Sequence, residues 1–192
     1  MTPPVFEHPR AITGLWWGIR LVLVASLLAW LLRGANGPAD PHLLTADPSV
    51  TVPNVPRTPL PGFGETRITV HTVDGQRLAW CLLLAETPQQ RERGLMQVTD
   101  LKGYNGMLFR YTSPVTESYY MRNTPMPLSI AYIDGAGKLV STADMTPCDD
   151  VDGCPTYPPA GPFRTAIEVA QGALPLFGIL PGATVTDDHQ GC

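Results

Sequence analysis

The sequence predicts a mainly β domain, sandwich or jelly-roll-like or a partly closed barrel, with one short helix, preceded by one N-terminal transmembrane helix. Three observations lead there. Residues 11–33 form one apolar stretch of membrane-spanning length, residues 34–64 are proline-rich, and after Gly64 short apolar runs alternate with turn signals. The organisation that follows is a cytoplasmic N-terminus at 1–10, an anchor at 11–33, a linker at 34–64, a β domain at 65–188 and a tail at 189–192.

The anchor comes first. Between Ala11 and Leu32 the only charged side chain is Arg20, and 22 helical residues at ~1.5 Å each reach roughly 33 Å, about one hydrocarbon core. Trp16, Trp17 and Trp30 stand where interfacial aromatics are favoured, and Arg20 can lift its guanidinium to the headgroups. A cleaved signal peptide, with its apolar part at 21–32 and Ala35-Asn36-Gly37 as the cut site, is the alternative; Arg33 directly after the apolar run disfavours it. Arg10 and Arg20 precede the core, so the positive-inside rule leaves the N-terminus in the cytoplasm and the rest extracytoplasmic. Both readings export the domain. The partner expected at this end is therefore the membrane itself.

The linker carries prolines at 38, 41, 48, 53, 56, 59 and 61. Proline fixes φ and favours extended chain, so the segment reads as a semi-rigid stalk. Beyond it, strands are expected at 67–73, 77–85, 106–111, 117–121, 128–133, 138–144, 165–170 and 183–186. Asp74-Gly75 reads as a two-residue hairpin turn and the step at 134–137 as a second hairpin. In the second strand Leu78, Trp80, Leu82 and Leu84 line one face while Ala79, Cys81, Leu83 and Ala85 line the other, which marks a central strand. Thr87, Pro88 and Gln90 supply an N-cap, a first-turn proline and a capping-box partner for one short helix that stops at Gly94. Periodicity alone does not separate sandwich from barrel.

Arg91, Gly94-Leu95-Met96, Gly106-Met107-Leu108-Phe109, Met121, Asn123-Thr124, Pro127-Leu128, Ile130 and Ile133-Asp134 together resemble the signature run of domain-of-unknown-function family 192 (DUF192). The resemblance covers roughly residues 67–186. It implies a mainly β, jelly-roll-like domain and no established activity. Two positions depart from the family pattern: Ser129 and Ala183 stand where acidic residues are common.

Several function classes lose ground on composition. The net charge of −4, with two lysines and eleven scattered arginines, leaves no basic stripe for a phosphate backbone, so nucleic acid is not an expected partner. The four histidines fall at 8, 42, 71 and 189, and no nucleophile elbow, His-Glu-x-x-His or phosphate loop is present. No cofactor and no metal is expected. Met96, Met107, Met121, Met126 and Met145 read as core filler rather than a copper site, and Asp150-x-Asp152-Gly153 lacks the remaining ligands of a calcium loop. Cys148 and Cys154 are expected to be disulfide-bonded in an exported domain. Cys81 reads as a buried core residue and Cys192 as a free thiol at a frayed end.

What remains is a binding site for a small ligand or an envelope protein. Arg91, Arg122, Asn123, Thr124 and Glu168 are its expected residues: arginine offers a planar fork, Asn and Thr add orientable donors, and nearby tyrosines make an apolar wall. Opposed to this, Arg91 and Glu168 would simply pair with each other and Asn123 would cap a turn near Pro125 and Pro127. An enzyme acting on envelope material through Glu117, Asp144 and Glu168, carried on strands, is the alternative function. A structural adaptor is the third.

Overall fold

In the computed structural model, which describes residues 55–192, strand β2 (Arg77–Ala85) lies inside a sheet with apolar side chains on both faces. Leu82 and Leu84, with Leu78 and Trp80 packed alongside, enter one core, while Cys81, Leu83 and Ala85 enter the other. A strand buried on two sides needs neighbours on both edges, and β2 has them: β1 (Gly64–His71) runs antiparallel on one side and β3 (Met107–Val115) parallel on the other. A parallel join cannot be made by a tight turn. The chain therefore crosses over through residues 86–106, which carry the helix α1 (Pro88–Arg93). The anchor, the N-terminus and the linker up to residue 54 lie outside the described residues, and among the described residues no helix is long and apolar enough to cross a membrane.

The remaining strands are β4 (Tyr119–Tyr120), β5 (Leu128–Ile133), β6 (Leu139–Met145), β7 (Thr156–Tyr157), β8 (Phe163–Ala170) and β9 (Thr184–Asp187). Among the described residues seven of the nine strands form one mixed sheet in the order β6-β5-β8-β3-β2-β1-β9, and β4 pairs with β7 in a small second sheet. Met107, Phe109, Ile130, Tyr132 and Phe163 pack on the face shared with Tyr119 and Tyr157 of that small sheet. On the opposite face Leu108, Ala131, Ile167 and Val169 pack against Leu174 and Ile179 around a 3-10 turn at Leu174–Phe177. The domain is mainly β with one short helix, as expected, and its main sheet is mixed and does not form a closed barrel. Its two edges touch at one place, where the Val185 N–H donates to the Gly137 carbonyl at 2.8 Å and Lys138 bridges Thr184. Gly137 permits that approach, because a Cβ there would lie 2.5 Å from the Val185 carbonyl oxygen.

Local chemistry accounts for most element ends. Thr87 Oγ1 accepts from the Gln90 N–H and Gln90 Oε1 accepts from Thr87 N, a complete capping box, and the helix ends at Gly94. The expected two-residue turn at Asp74-Gly75 is corrected to a three-residue loop: the Thr72 N–H donates to the Gln76 carbonyl and Gly75 takes φ 85°. Asp134 and Lys138 close the second hairpin in the same way around Gly137 at φ 80°. Both follow the form in which a turn ends on a left-handed residue, which suits glycine.

The start and end of the described chain are tied down. Thr58 N donates to the Lys102 carbonyl, Gln90 and Arg93 donate to the Gly62 and Pro61 carbonyls, and Leu60 and Phe63 pack on the core. At the other end the expected free thiol is corrected: Cys192 is disulfide-bonded to Cys81 across a sequence separation of 111. A carboxy-terminal segment at residues 187–192 lies along β1, with Asp188 N donating to the Arg67 carbonyl and Arg67 N to the Gln190 carbonyl. That docking carries the second sulfur to the buried face of β2. The expected Cys148–Cys154 bond is present as well.

Loop entropy ranks the two bonds. A 112-membered loop contributes about 5 kcal/mol and the short ring around Cys148–Cys154 about 2.4 kcal/mol. Replacing Cys81 and Cys192 together by Ala and Ser should lower the urea midpoint roughly twice as far as replacing Cys148 and Cys154, in oxidised protein followed by circular dichroism.

Candidate functional site

β8 is hydrogen-bonded on both sides, to β3 with Glu168 opposite Met107 and to β5 with Glu168 opposite Ile130. Met107 and Ile130 are fully buried, so strand alternation plants a carboxyl in the middle of an apolar face. Glu168 is itself only 4% exposed. No group among the described residues donates a hydrogen bond to it, and burial alone pushes its pKa up to about 8. Every enclosed side-chain polar atom among the described residues has a partner, so the unpartnered carboxyl must open onto accessible space. That space is a cleft of about 260 Å³ with Glu168 at its floor. Its walls come from α1, the turn after it, β3 and β4.

Gly106 sets the floor's position. A Cβ at this residue would lie 2.1 Å from the Glu168 carbonyl oxygen, so β3 can begin beside β8 only with glycine here. Arg91 forms one wall. Its guanidinium lies 4.6 Å from the centre of the Tyr111 ring, and Nη1 donates to the carbonyls of Glu86 and Arg110. Stacking and two carbonyl acceptors hold the group flat while Nε and Nη2 keep their donors uncommitted. Tyr111 Oη stands 3.1 Å from both Glu117 Oε2 and Tyr119 Oη. Burial raises the pKa of Tyr111, and raises that of Tyr119 much further, with Tyr111 and the Glu168 charge adding to the effect. The phenols stay protonated and act as hydrogen-bond donors.

The structure separates the expected site residues into two groups. Arg91, Thr124 and Glu168 line the cleft together. The expected pairing of Arg91 with Glu168 is absent, because the guanidinium is committed to Tyr111 and the two carbonyls. Arg122 points elsewhere: its guanidinium binds the Val151 carbonyl and the Asp152 carboxylate, at 3.0 and 2.9 Å, and so braces the Cys148–Cys154 loop. Asp150 and Asp152 are thereby engaged in ion pairs with Arg122. Asn123 takes φ 55° and offers its carbonyl to Gln97 N, a turn role away from the cleft.

Of the three carboxylates, Glu117 and Glu168 reach the cleft and Asp144 does not. Asp144 is registered with Ser129, whose Oγ donates to it and accepts from Gly172 N, and Ser129 lies one residue out of phase with Ile130, the β5 residue opposite Glu168. Glu117 is not on a strand, as had been expected, but in the turn between β3 and β4. Met107, Met121 and Met145 are buried together in one core with Met126 packed against it, and Met96 borders the cleft. Among the described residues Glu65, Cys81 and Cys192 bring potential metal-ligand atoms within 4.8 Å, but both sulfurs belong to the disulfide. Tyr119 is one of the tyrosines expected to wall the site with its polar tip, whereas Tyr111 escaped the sequence reading because nothing near it in the chain marks it as facing the cleft.

With this geometry in hand, comparison places the protein in a class of mainly β domains of unknown function. The DUF192 family model, described as an uncharacterized ACR, matches residues 69–186, and the chain belongs to this family. It is similar to a solved protein of unknown function from Novosphingobium aromaticivorans DSM 12444, at 30% identity and TM-score 0.59, over 68% of this chain and 90% of that one. It is also similar to a protein from Sinorhizobium meliloti 1021 provisionally described as a transcription regulator, at 24% identity and TM-score 0.57, over 65% of this chain and 95% of that one. This second likeness shows the fold alone. No curated protein matches the chain.

The buried carboxyl makes stability depend on pH in a definite direction. Its folded pKa is raised, so the folded state keeps a proton that the unfolded chain releases. The contribution to stability is complete below about pH 4.5 and is lost as pH rises through about 8. In that window the slope is at most about 1.4 kcal/mol per pH unit. Urea titrations of wild type and Glu168→Gln at pH 5 and pH 8 should show the wild type losing stability relative to the variant; equal losses would mean that the carboxylate is already accommodated.

Proposed function

We propose that this protein is a membrane-tethered, extracytoplasmic domain whose cleft between α1, β3 and β4 binds a small polar ligand. The carrying observation is Glu168: a carboxyl on a central strand, buried, without a protein partner and facing a cleft. Burial disfavours the charged form of such a group, a cost that a leucine at the same place would avoid. A ligand that completes its hydrogen bonds explains why the cost is carried. The cleft lies slightly below the ~300–1,000 Å³ range of drug-sized pockets, which points to a small molecule or to one end of a longer one. Export is supported by the 22-residue apolar stretch ahead of the domain and by two disulfides, which persist in oxidising compartments.

A thermal-shift screen against sugars, peptides, nucleotides and metals should yield at least one stabilising small molecule whose effect disappears in Glu168→Leu. If the variant is merely more stable and nothing in the screen moves wild type, the cleft is scaffold and an adaptor role is favoured. Fractionation combined with thiol alkylation checks the tether: the full-length chain should sediment with membranes and resist alkylation until reduced.

One observation favours a second reading. Glu117, exposed at the rim, and Glu168, buried and protonated, border the same cleft, and carboxyls in such unlike surroundings are suited to base and acid roles respectively. Hydrolysis of an envelope polymer that is lost in both Glu117→Gln and Glu168→Gln, with folding intact, would establish that reading.

A further inference from the structure

Residues 172–183, between β8 and β9, carry no polar side chain at all. Leu174, Ile179 and Ala183 account for part of this, since they are buried in the second core. Leu176 and Leu180 do not: they are 76% and 44% exposed, and Val73, in the β1–β2 loop, is 72% exposed. Three of the six large apolar side chains that are exposed among the described residues thus gather at one end of the domain. The loop and the hairpin tip adjoin there. A Cβ at Gly178 would lie 2.7 Å from Thr72 Cγ2, and one at Gly182 would lie 3.1 Å from Val73 Cγ2. The main chain of the loop is closed on itself as well. Pro175 and Pro181 have no N–H, and the N–H groups of Phe177, Gly178, Ile179, Leu180 and Ala183 all donate to carbonyls within residues 173–180. Such closure is what a segment entering an apolar medium requires, because nothing there replaces a missing hydrogen bond.

A second copy, another protein or a bilayer could cover this surface, and size and chemistry separate them. The three side chains together expose apolar area on the order of 300 Å², well under the ~800 Å² that each partner buries in a stable protein interface. Protein interfaces also use about one hydrogen bond per 100–200 Å², and residues 172–183 have no side chain to make one. Lipid makes neither demand. From the apolar loop, its internally bonded backbone and its small area, we propose that the end of the domain bearing Val73, Leu176 and Leu180 docks on the interfacial layer of a lipid bilayer. The docking rests on the tether proposed above, which supplies the missing affinity: a contact too small to hold two free molecules suffices when the surfaces are already joined. Fully extended, the 21 residues at 34–54 span at most about 75 Å and β1 only about 27 Å, so the chain that enters β1 at Gly64 is long enough for the hairpin end to face the bilayer. Asp74 in the hairpin loop, Arg77 opposite His71 and Lys138 opposite Thr184 surround this end with charges of both signs, so no anionic lipid is required. The register puts Glu168 level with Met107 and so with Leu83, roughly 20 Å along β2 from Arg77, which leaves the cleft open to the aqueous side when the loop is docked.

The test is photo-crosslinking of the full-length chain reconstituted in phosphatidylcholine vesicles, with p-benzoylphenylalanine in place of Leu176 or, as a control, of the exposed Val151. After irradiation, mass spectrometry of the digest should find at least tenfold more lipid adduct at 176 than at 151. Adding Val73→Asp and Leu180→Asp should reduce the adduct at 176 at least tenfold with the melting curve moved by no more than a few degrees. Val73→Asp alone, at a hairpin tip, should reduce it at least threefold and serves where the double variant melts early. Flotation of the vesicles reports the tether separately, and every variant should float with the lipid. If the chain floats but lipid labelling is equal at the two positions, or position 176 crosslinks to a second copy or to residues 34–54 in place of lipid, the docking is overturned and the tether stands. A chain that does not float overturns both.

Discussion

The register of β8 is the constraint on which the site depends. Side chains on a strand alternate between faces, so the ladders to β3 and β5 determine that Ala166 and Glu168 look toward one core and Ile167 and Val169 toward the other. A slip by one residue would place an isoleucine at the cleft floor and the carboxyl among Leu108, Ala131 and Ile133. Apolar partners on both sides enforce the register. Glu168 is carried along as the one buried position in the strand that the hydrophobic effect does not explain.

Polar contacts then shape the cleft from outside the sheet. The crossover from β2 to β3 is needed because those strands run parallel, and its helix is too short and too polar to contribute to either core. Its use is positional: it holds Arg91 against Tyr111, while Arg110, one residue before Tyr111 and facing the other way, binds the carboxylates of Glu86 and Asp187. Asp187 also accepts from Thr66. Three strands, β1, β3 and β9, are thus joined by one carboxylate that is mostly buried and fully hydrogen-bonded, the condition under which such a group is tolerated in a protein interior. Arg122 plays the equivalent part for the disulfide loop. Arginines on this domain mostly bind its own carbonyls and carboxylates, Arg91 among them.

Much of the fold was legible because local rules decided it. The two-faced apolar alternation of β2, the strand at Leu128–Ile133, and the capping box from Thr87 to Gln90 each depend on residues within a few positions of one another. The sheet order was not legible, since nothing near β8 announces that it lies between β3 and β5. The Cys81–Cys192 bond was missed for the same reason: spacing along the chain says nothing of a segment that docks on β1 and delivers its sulfur to β2. The site divides similarly. Arg91, Thr124 and Glu168 reach one cleft, whereas Arg122 and Asn123, adjacent in sequence to Thr124, are turned by a left-handed backbone at Asn123 toward the loop at 148–154. A single positive φ thus divides a run of three polar residues between the cleft and the disulfide loop.

The bond between Cys81 and Cys192 makes one covalent ring of nearly everything from the second strand onward. A protease that cuts an exposed bend inside that ring, such as the turn at Gly135-Ala136, opens the circle without freeing a fragment. Damage of that kind would leave the polypeptide whole in mass and able to close up again around its cut.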